Sequence, residues 1–205
     1  MQISAEVRWF WHAAPPARFK DWFLSDGAHP YRAGGGKTRP DDYLYDPSQV
    51  ELGIKARGGK AGTEIKGLVA QFPNAVPDGP FKGDGELWTK WTSNALRIDS
   101  LPRLLTNKTR ALRKFDATGP DPKEIELGPD EKPLRGSLPA AGCNVELTQV
   151  EIKEQIFWTL GFEAFGDLQS VIADLRSVAS LLAARKPPPM ENAVAASYPA
   201  WLAML

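Results

Sequence analysis

The feature that most constrains the fold of this chain is an alternation of apolar and charged residues with a period of two. At its start, Ile3, Val7 and Trp9 point to one side of an extended segment, while Glu6 and Arg8 point to the other. Successive side chains of a β-strand face opposite ways, so this pattern indicates a strand with one apolar and one charged face.

The alternation recurs along the chain, between turn signals rich in Gly and Pro. It predicts eight strands, at residues 3–11, 42–45, 50–57, 63–70, 86–92, 108–114, 144–152 and 156–165. Short connections of this kind are typical of antiparallel pairing. Helices are predicted after Pro15, over 94–105, and from Leu168 to Leu182 with Asp167 as the cap. The predicted fold is therefore α+β, a roughly eight-stranded antiparallel β-barrel or tunnel with helices packed outside.

Length and charge limit the classes of function. The 205 residues favour one domain over 1–205, with 168–205 as a C-terminal helical part. Because 25 Lys and Arg balance 25 Asp and Glu, we expect no non-specific binding of nucleic acids. No apolar run approaches the ~18 residues of a membrane span, and the first residues lack a signal-peptide layout. We therefore expect a cytoplasmic protein without a membrane partner. The lone cysteine, Cys143, is expected to be a core residue. Nothing in the sequence indicates the oligomeric state.

The charged faces of the predicted strands share an unusual excess of basic residues. These are Arg8, Lys55, Arg57, Lys66, Lys90, Lys108 and Arg110, and the acids Glu6, Glu64, Glu146 and Glu163 share faces of the same kind. If the barrel closes with these faces inward, its lumen is a basic tunnel with acidic spots, which suits a polyanion with a divalent cation. The alternative is a set of solvated strand faces whose Lys and Glu pair across strands.

The order of several segments resembles the CYTH proteins, also called triphosphate tunnel metalloenzymes, over nearly the whole chain. The segments are VELGIKAR, TEIKGLV, KTRALRKF, NVELTQVEI, LGFEAF and a terminal SYPAWL. The resemblance implies a tunnel in which the seven basic residues bind a triphosphate-containing substrate. It further implies that Glu6, Glu146 and Glu163 hold Mg or Mn, and that Glu6 and Glu163 are catalytic. The family's opening motif, Glu-x-Glu-x-Lys, here runs from Ser4 to Arg8 with only one acid, so a two-metal site is not expected.

Three functions remain open from these residues. The first is a metal-dependent triphosphatase acting on an inorganic or organic triphosphate. The second is a non-catalytic protein that binds a phosphorylated small molecule after losing part of the metal site. The third is an interaction protein in which the tunnel has no ligand.

Two further features bear on a ligand site. The segment from Arg32 to Thr38, with Gly at 34–36, is similar to the phosphate-binding loop of nucleotide hydrolases. It has Tyr31 where that motif requires a Gly, so we predict a connecting loop and assign it no function. Among the tryptophans, Trp9, Trp11 and Trp91 have the apolar parity and are predicted core residues. Trp88 shares a face with Lys90 and is a candidate to line the lumen and stack on an organic group.

Overall fold

The structure is a computed structural model that describes residues 2–25, 38–58, 61–77 and 79–205. Along the chain, the described elements are β1 (Gln2–Trp11), α1 (Ala17–Ser25), β2 (Arg39–Leu44), β3 (Leu52–Arg57), β4 (Thr63–Val76), β5 (Gly83–Ser93), β6 (Arg103–Asp116), β7 (Lys123–Ile125), β8 (Gly142–Ile152), β9 (Gln155–Phe165), α2 (Val171–Ala184), β10 (Val194–Ala195) and α3 (Tyr198–Leu202). The glycine-rich segment at 34–36 lies outside the described residues.

Eight of these strands close into an antiparallel β-barrel, which confirms the predicted fold class. Their order is β1, β5, β4, β3, β2, β6, β8 and β9, and β9 pairs back with β1. Of the two short strands outside this ring, β7 pairs with β6 and β10 pairs with β1. Along each strand the side chains point alternately into and out of the closed ring. The charged residues at the inward positions therefore face one shared lumen.

The main hydrophobic core lies outside the barrel, between its wall and the helices α1 and α2. Strand β1 contributes Val7, Trp9 and Trp11, each at most 4% exposed. Helix α2 packs on β1, β4, β8 and β9 and buries a face at Val171, Leu175, Val178, Ala179 and Leu182, which follows the helical period. The outward face of the wall is therefore apolar where helices cover it, which leaves the charged face for the lumen.

A second apolar cluster fills one end of the lumen. It combines inward-facing strand residues with the C-terminal helix α3 and consists of Phe10, Tyr43, Leu104, Val150, Ile152, Phe157, Trp201 and Leu202. The ring of Trp201 stacks on Phe10 at 4.3 Å and 11°. Helix α3 begins after Ser197, whose side chain accepts a hydrogen bond from the Ala200 amide. The C-terminal segment thus closes this end of the barrel.

Three of the sequence predictions about local structure are wrong. The predicted helix at 94–105 is replaced by turns and by the start of β6, because residues from Arg103 onward pair with β2. The strands predicted at 63–70 and 86–92 are too short, since β4 continues through two register shifts to Val76, opposite Gly83, where β5 begins. Helix α2 begins only at Val171; the Asp167 carboxylate accepts from the Gln169 amide in a turn before it, and Leu168 is 53% exposed.

The predicted core position of Trp91 is also wrong. Its side chain is 42% exposed on the outer face of β5. Strand parity alone cannot distinguish an outer face that a helix covers from one that solvent covers.

Candidate functional site

The lumen contains a cavity of about 640 Å³ in which most of the predicted site residues meet. The predicted residues that line it are Arg8, Lys55, Arg57, Lys66, Lys90, Lys108, Arg110, Glu146 and Glu163. Glu6 does not line this cavity; it contacts Lys66 and borders a neighbouring space of about 410 Å³ together with Asp84 and Glu86. The convergence follows from the shared inward parity of these residues on adjoining strands.

Several lining residues were not predicted from the sequence. They are Thr38, Arg39, Tyr43, Glu131, Thr148 and Tyr198, and Asp41 contacts the same group of basic side chains. The parity of β2 could have indicated Asp41, because residues 39, 41 and 43 share one face once the strand is extended to Arg39. Glu131 comes from the long loop between β7 and β8, and Tyr198 from α3. Neither has a local sequence signal, because both reach the lumen only through the tertiary fold.

Two lysine–glutamate pairs connect β1 and β9 with β4 and β5. Both oxygens of the Glu6 carboxylate contact the Lys66 ammonium, and Oε1 also accepts from the Ser4 hydroxyl at 2.6 Å. The Lys90 ammonium donates to Glu163 Oε1 at 3.1 Å. Burial would raise the pKa of Glu163, but the charges of Lys90 and Lys66 outweigh it and hold that pKa well below its usual range. Glu163 is therefore a carboxylate paired with cations at neutral pH.

A second group surrounds Glu146 on β8. Its Oε1 contacts Arg8 Nη2 at 2.9 Å, and its Oε2 contacts Arg110 Nη1 at 3.1 Å. Burial opposes ionisation of Glu146, but the charges of Arg8 and Arg110 hold its pKa far below the usual range. Arg110 also pairs with Glu131. Both oxygens of Glu146 are thus engaged by guanidinium groups.

Arg8 has its position because residue 161 is a glycine. Its Nη1 donates to the Thr159 hydroxyl at 3.3 Å, and its guanidinium lies 4.9 Å from the ring centroid of Tyr198. A β-carbon added to Gly161 would lie 2.6 Å from Arg8 Nη1, closer than real contacts allow. The glycine of the LGFEAF segment therefore makes room for the guanidinium.

Asp41 is the centre of a third group, on β2. Its side chain is completely buried, with Arg39 Nε at 3.0 Å, Lys55 Nζ at 3.5 Å and Lys108 Nζ at 3.8 Å. Burial would raise the pKa of Asp41, yet the charges of Lys55, Lys108 and Arg39 lower it. Glu64 adds a second carboxylate, which accepts from Lys55 at 3.1 Å. These acids hold several cations close together at one wall of the cavity.

Lys108 lies at the deep, aromatic end of the cavity. Its ammonium donates to the Tyr43 hydroxyl at 2.6 Å and is 3.8 Å from the ring centroid of Tyr198. The two tyrosine rings are nearly parallel, with centroids 5.7 Å apart. Burial lowers the pKa of Lys108 well below its usual range, and the nearby charge of Lys55 acts in the same direction. This end of the cavity combines a desolvated amine with hydroxyl groups. One hydroxyl of the wall, Thr148 Oγ1, has no hydrogen-bond partner among the residues that the structure describes.

The carboxylates do not fit the Mg or Mn site that the family resemblance implies. Each of the three candidate ligands already contacts an ammonium or guanidinium group, so a cation would have to displace it. Within 2–25, 38–58, 61–77 and 79–205, no group of three His, Cys, Asp or Glu side chains is placed to hold a metal ion. A hard cation needs carboxylate oxygens that are free to coordinate it.

Trp88 faces inward as its parity indicates, but it is not part of the cavity wall. Its indole is 1% exposed and donates to Glu86 Oε2 at 3.0 Å. The Lys66 ammonium lies 5.4 Å from the ring centroid, so lysine occupies the face on which an organic group would stack.

No protein-family model matches this chain, and a comparison with curated protein sequences finds no match. Each helix in the described part of the chain is too short or too polar to cross a membrane.

Proposed function

We propose that this protein binds a triphosphate-containing or similarly polyanionic small molecule in the cavity of its barrel. The observation that supports the proposal best is the convergence of eight Lys and Arg side chains, from six strands, on the cavity formed by the described residues. Five Asp and Glu side chains line the same space, so the lining residues carry a basic excess although the whole chain is neutral. Asp41 and Glu6 balance part of this excess, because each contacts lining cations.

The size and chemistry of the cavity agree with such a ligand. Its volume of about 640 Å³ is within the usual range for small-molecule sites. Guanidinium groups such as those of Arg8, Arg57 and Arg110 bind phosphate oxygens in a bidentate manner, while the lysines act as point charges. A phosphorylated ligand could therefore replace part of the internal carboxylate contacts of these cations.

We also propose that the chain is a divergent member of the CYTH family. The proposal is based on the resemblance of its segments to those of the family and on the inward position of the charged residues in these segments. Hydrolysis of the ligand, which the resemblance implies too, has less support. Phosphoryl transfer depends on cations placed where charge develops, and in the family the divalent ion has this role. The engaged carboxylates favour binding without turnover.

A thermal-shift experiment tests the proposal. Tripolyphosphate at about one hundred times its Kd stabilises the folded state by ~2.7 kcal/mol, which raises the Tm of a domain of this size by about 5–10 °C. The measurement is made with Mg, with Mn and with EDTA, and phosphate release is followed in the same mixtures. The variants Arg57→Ala and Lys66→Ala should lose the shift, while Arg18→Ala, on the exposed side of α1, should keep it. Absence of a shift in every mixture would refute the proposed function.

A further inference from the structure

We infer that the barrel binds its polyanion in the metal-free form, with lysines of the wall in the place of the divalent cation. This inference rests on the proposed function and names the ionic form of the ligand. It is the opposite of what the family resemblance implies.

The first argument is the arrangement of two acids and two lysines. Glu6 and Glu163 are direct neighbours across β1 and β9, and Lys66 and Lys90 are direct neighbours across β4 and β5. Each lysine reaches across to one acid, so that Lys66 contacts Glu6 and Lys90 contacts Glu163. Two adjacent carboxylates would repel each other without cations, and here two ammonium groups supply the charge that one divalent ion would carry.

The second argument is the donor at the opening motif. Where the family motif has its first acid, this chain has Ser4, whose hydroxyl donates to Glu6 Oε1 at 2.6 Å. A serine hydroxyl that donates to Glu6 stabilises the carboxylate in its pairing with Lys66 and adds no negative charge for a cation. The substitution and the lysine pair therefore act in the same direction.

The third argument comes from the remaining acid. Glu146 has a guanidinium at each oxygen, Arg8 at 2.9 Å and Arg110 at 3.1 Å. Its side chain is only 15% exposed, and removing it from both partners would leave charges uncompensated in a largely desolvated wall. Binding of a metal here would require this group to rearrange as well.

The ligand would meet these groups from the cavity side. Lys66 and Lys90 line the cavity, whereas Glu6 lies behind Lys66. An approaching anion therefore meets both ammonium groups in the cavity wall, next to the Glu163 carboxylate that pairs with Lys90. A magnesium–tripolyphosphate complex carries less negative charge and brings a cation toward these ammonium groups, so it should bind more weakly than the free anion.

The test is isothermal titration calorimetry with tripolyphosphate, in EDTA and in excess Mg at constant ionic strength. We expect binding in EDTA, and affinity about tenfold weaker when Mg is in excess. The variant Glu163→Gln removes one negative charge from the wall and leaves Lys90 for the ligand, so its affinity in EDTA should rise roughly fivefold to tenfold. The control Glu151→Gln makes the same change of charge at an exposed position of β8 and should bind as the unmodified protein does. Circular dichroism establishes that the variants are folded.

The outcomes separate this inference from the proposed function. Binding that requires Mg, or that Glu163→Gln abolishes only in Mg, would overturn the inference and leave the proposed function intact. Absence of binding in both buffers would refute both. Binding in EDTA that Mg weakens and Glu163→Gln strengthens would support the inference, and the comparison in the unmodified protein is decisive even if the variant fails to fold.

Discussion

The glycine beneath Arg8 provides a sharp test of the geometry of the cavity. In the variant Gly161→Ala, the new methyl group would overlap the place of the Arg8 guanidinium, so this buried side chain would have to shift away from its present partners. The guanidinium would lose its contact with Glu146 at 2.9 Å and its hydrogen bond to Thr159 at 3.3 Å. We therefore expect both lower stability and weaker binding of the ligand.

The expected loss of stability follows from these two contacts. A hydrogen bond to a charged group contributes about 1.5–3 kcal/mol, and one to a neutral hydroxyl contributes about 1 kcal/mol. Replacing a glycine also lowers the conformational entropy of the unfolded chain, which offsets about 0.4–1 kcal/mol of this loss of stability. The net free energy of unfolding should fall by about 1.5–3.5 kcal/mol, which corresponds to a decrease in Tm of roughly 3–14 °C for a domain of this size.

The assay is urea unfolding followed by the fluorescence of the seven tryptophans. The matched control is Gly119→Ala, because a β-carbon added there would meet no atom within 4 Å in the described part of the chain, apart from its two chain neighbours. Its stability should be unchanged or slightly higher.

A double-mutant cycle shows whether Arg8 is the cause. In an Arg8→Ala background the methyl group at position 161 has space, so Gly161→Ala should add almost no further loss. If the two substitutions lower stability additively, or if Gly161→Ala alone has no effect, the placement of the guanidinium over this glycine is wrong.

Three other predictions concern single side chains of the wall and the core. Glu131→Gln removes the loop carboxylate that pairs with Arg110, so the affinity for tripolyphosphate measured by calorimetry should rise about threefold to tenfold. The control Asp121→Asn, at an exposed loop position, should leave the affinity unchanged. A weaker affinity of Glu131→Gln would contradict the role of Glu131 as a counterion that competes with the ligand. The pKa of Glu163 is lowered in the folded state, so below about pH 4.3 the unfolded chain binds more protons than the folded chain. The contribution of the Glu163–Lys90 pair to the free energy of unfolding should therefore be fully present above that pH and decline as the pH falls further. Urea midpoints measured across this range check it, and Glu163→Gln should show a smaller decline. Burial raises the pKa of the Cys143 thiol, so Ellman's reagent should react with it only after unfolding, and rapid reaction with the folded protein would contradict its buried position.

The strands and their inward faces could be predicted well from the sequence. The parity of Glu6 and Arg8 on β1, and of Lys55 and Arg57 on β3, is a local property of an alternating segment, and it is independent of what the strand pairs with. Local propensity failed at residues 94–105, where pairing of β6 with β2 overrides a pattern that is compatible with a helix.

The contributions of Tyr198 and Glu131 to the site could not be predicted in this way. Both lie in segments that have no charged strand face, and they reach the cavity because α3 and a loop fold back over the barrel. Such contacts join residues that are far apart along the chain, so no periodicity records them.

The sequence by itself determined the strands of the wall, the side chains that share its charged face, and the neutral total charge. Only the tertiary structure decided that the charged faces line one closed lumen, and which cation each acid contacts. The reason is that the register across β1, β9, β4 and β5 brings Lys66 to Glu6 and Lys90 to Glu163, although each pair is separated by at least sixty residues. The same acids that the family resemblance implies as metal ligands are, in the folded chain, the counterions of its own lysines and arginines.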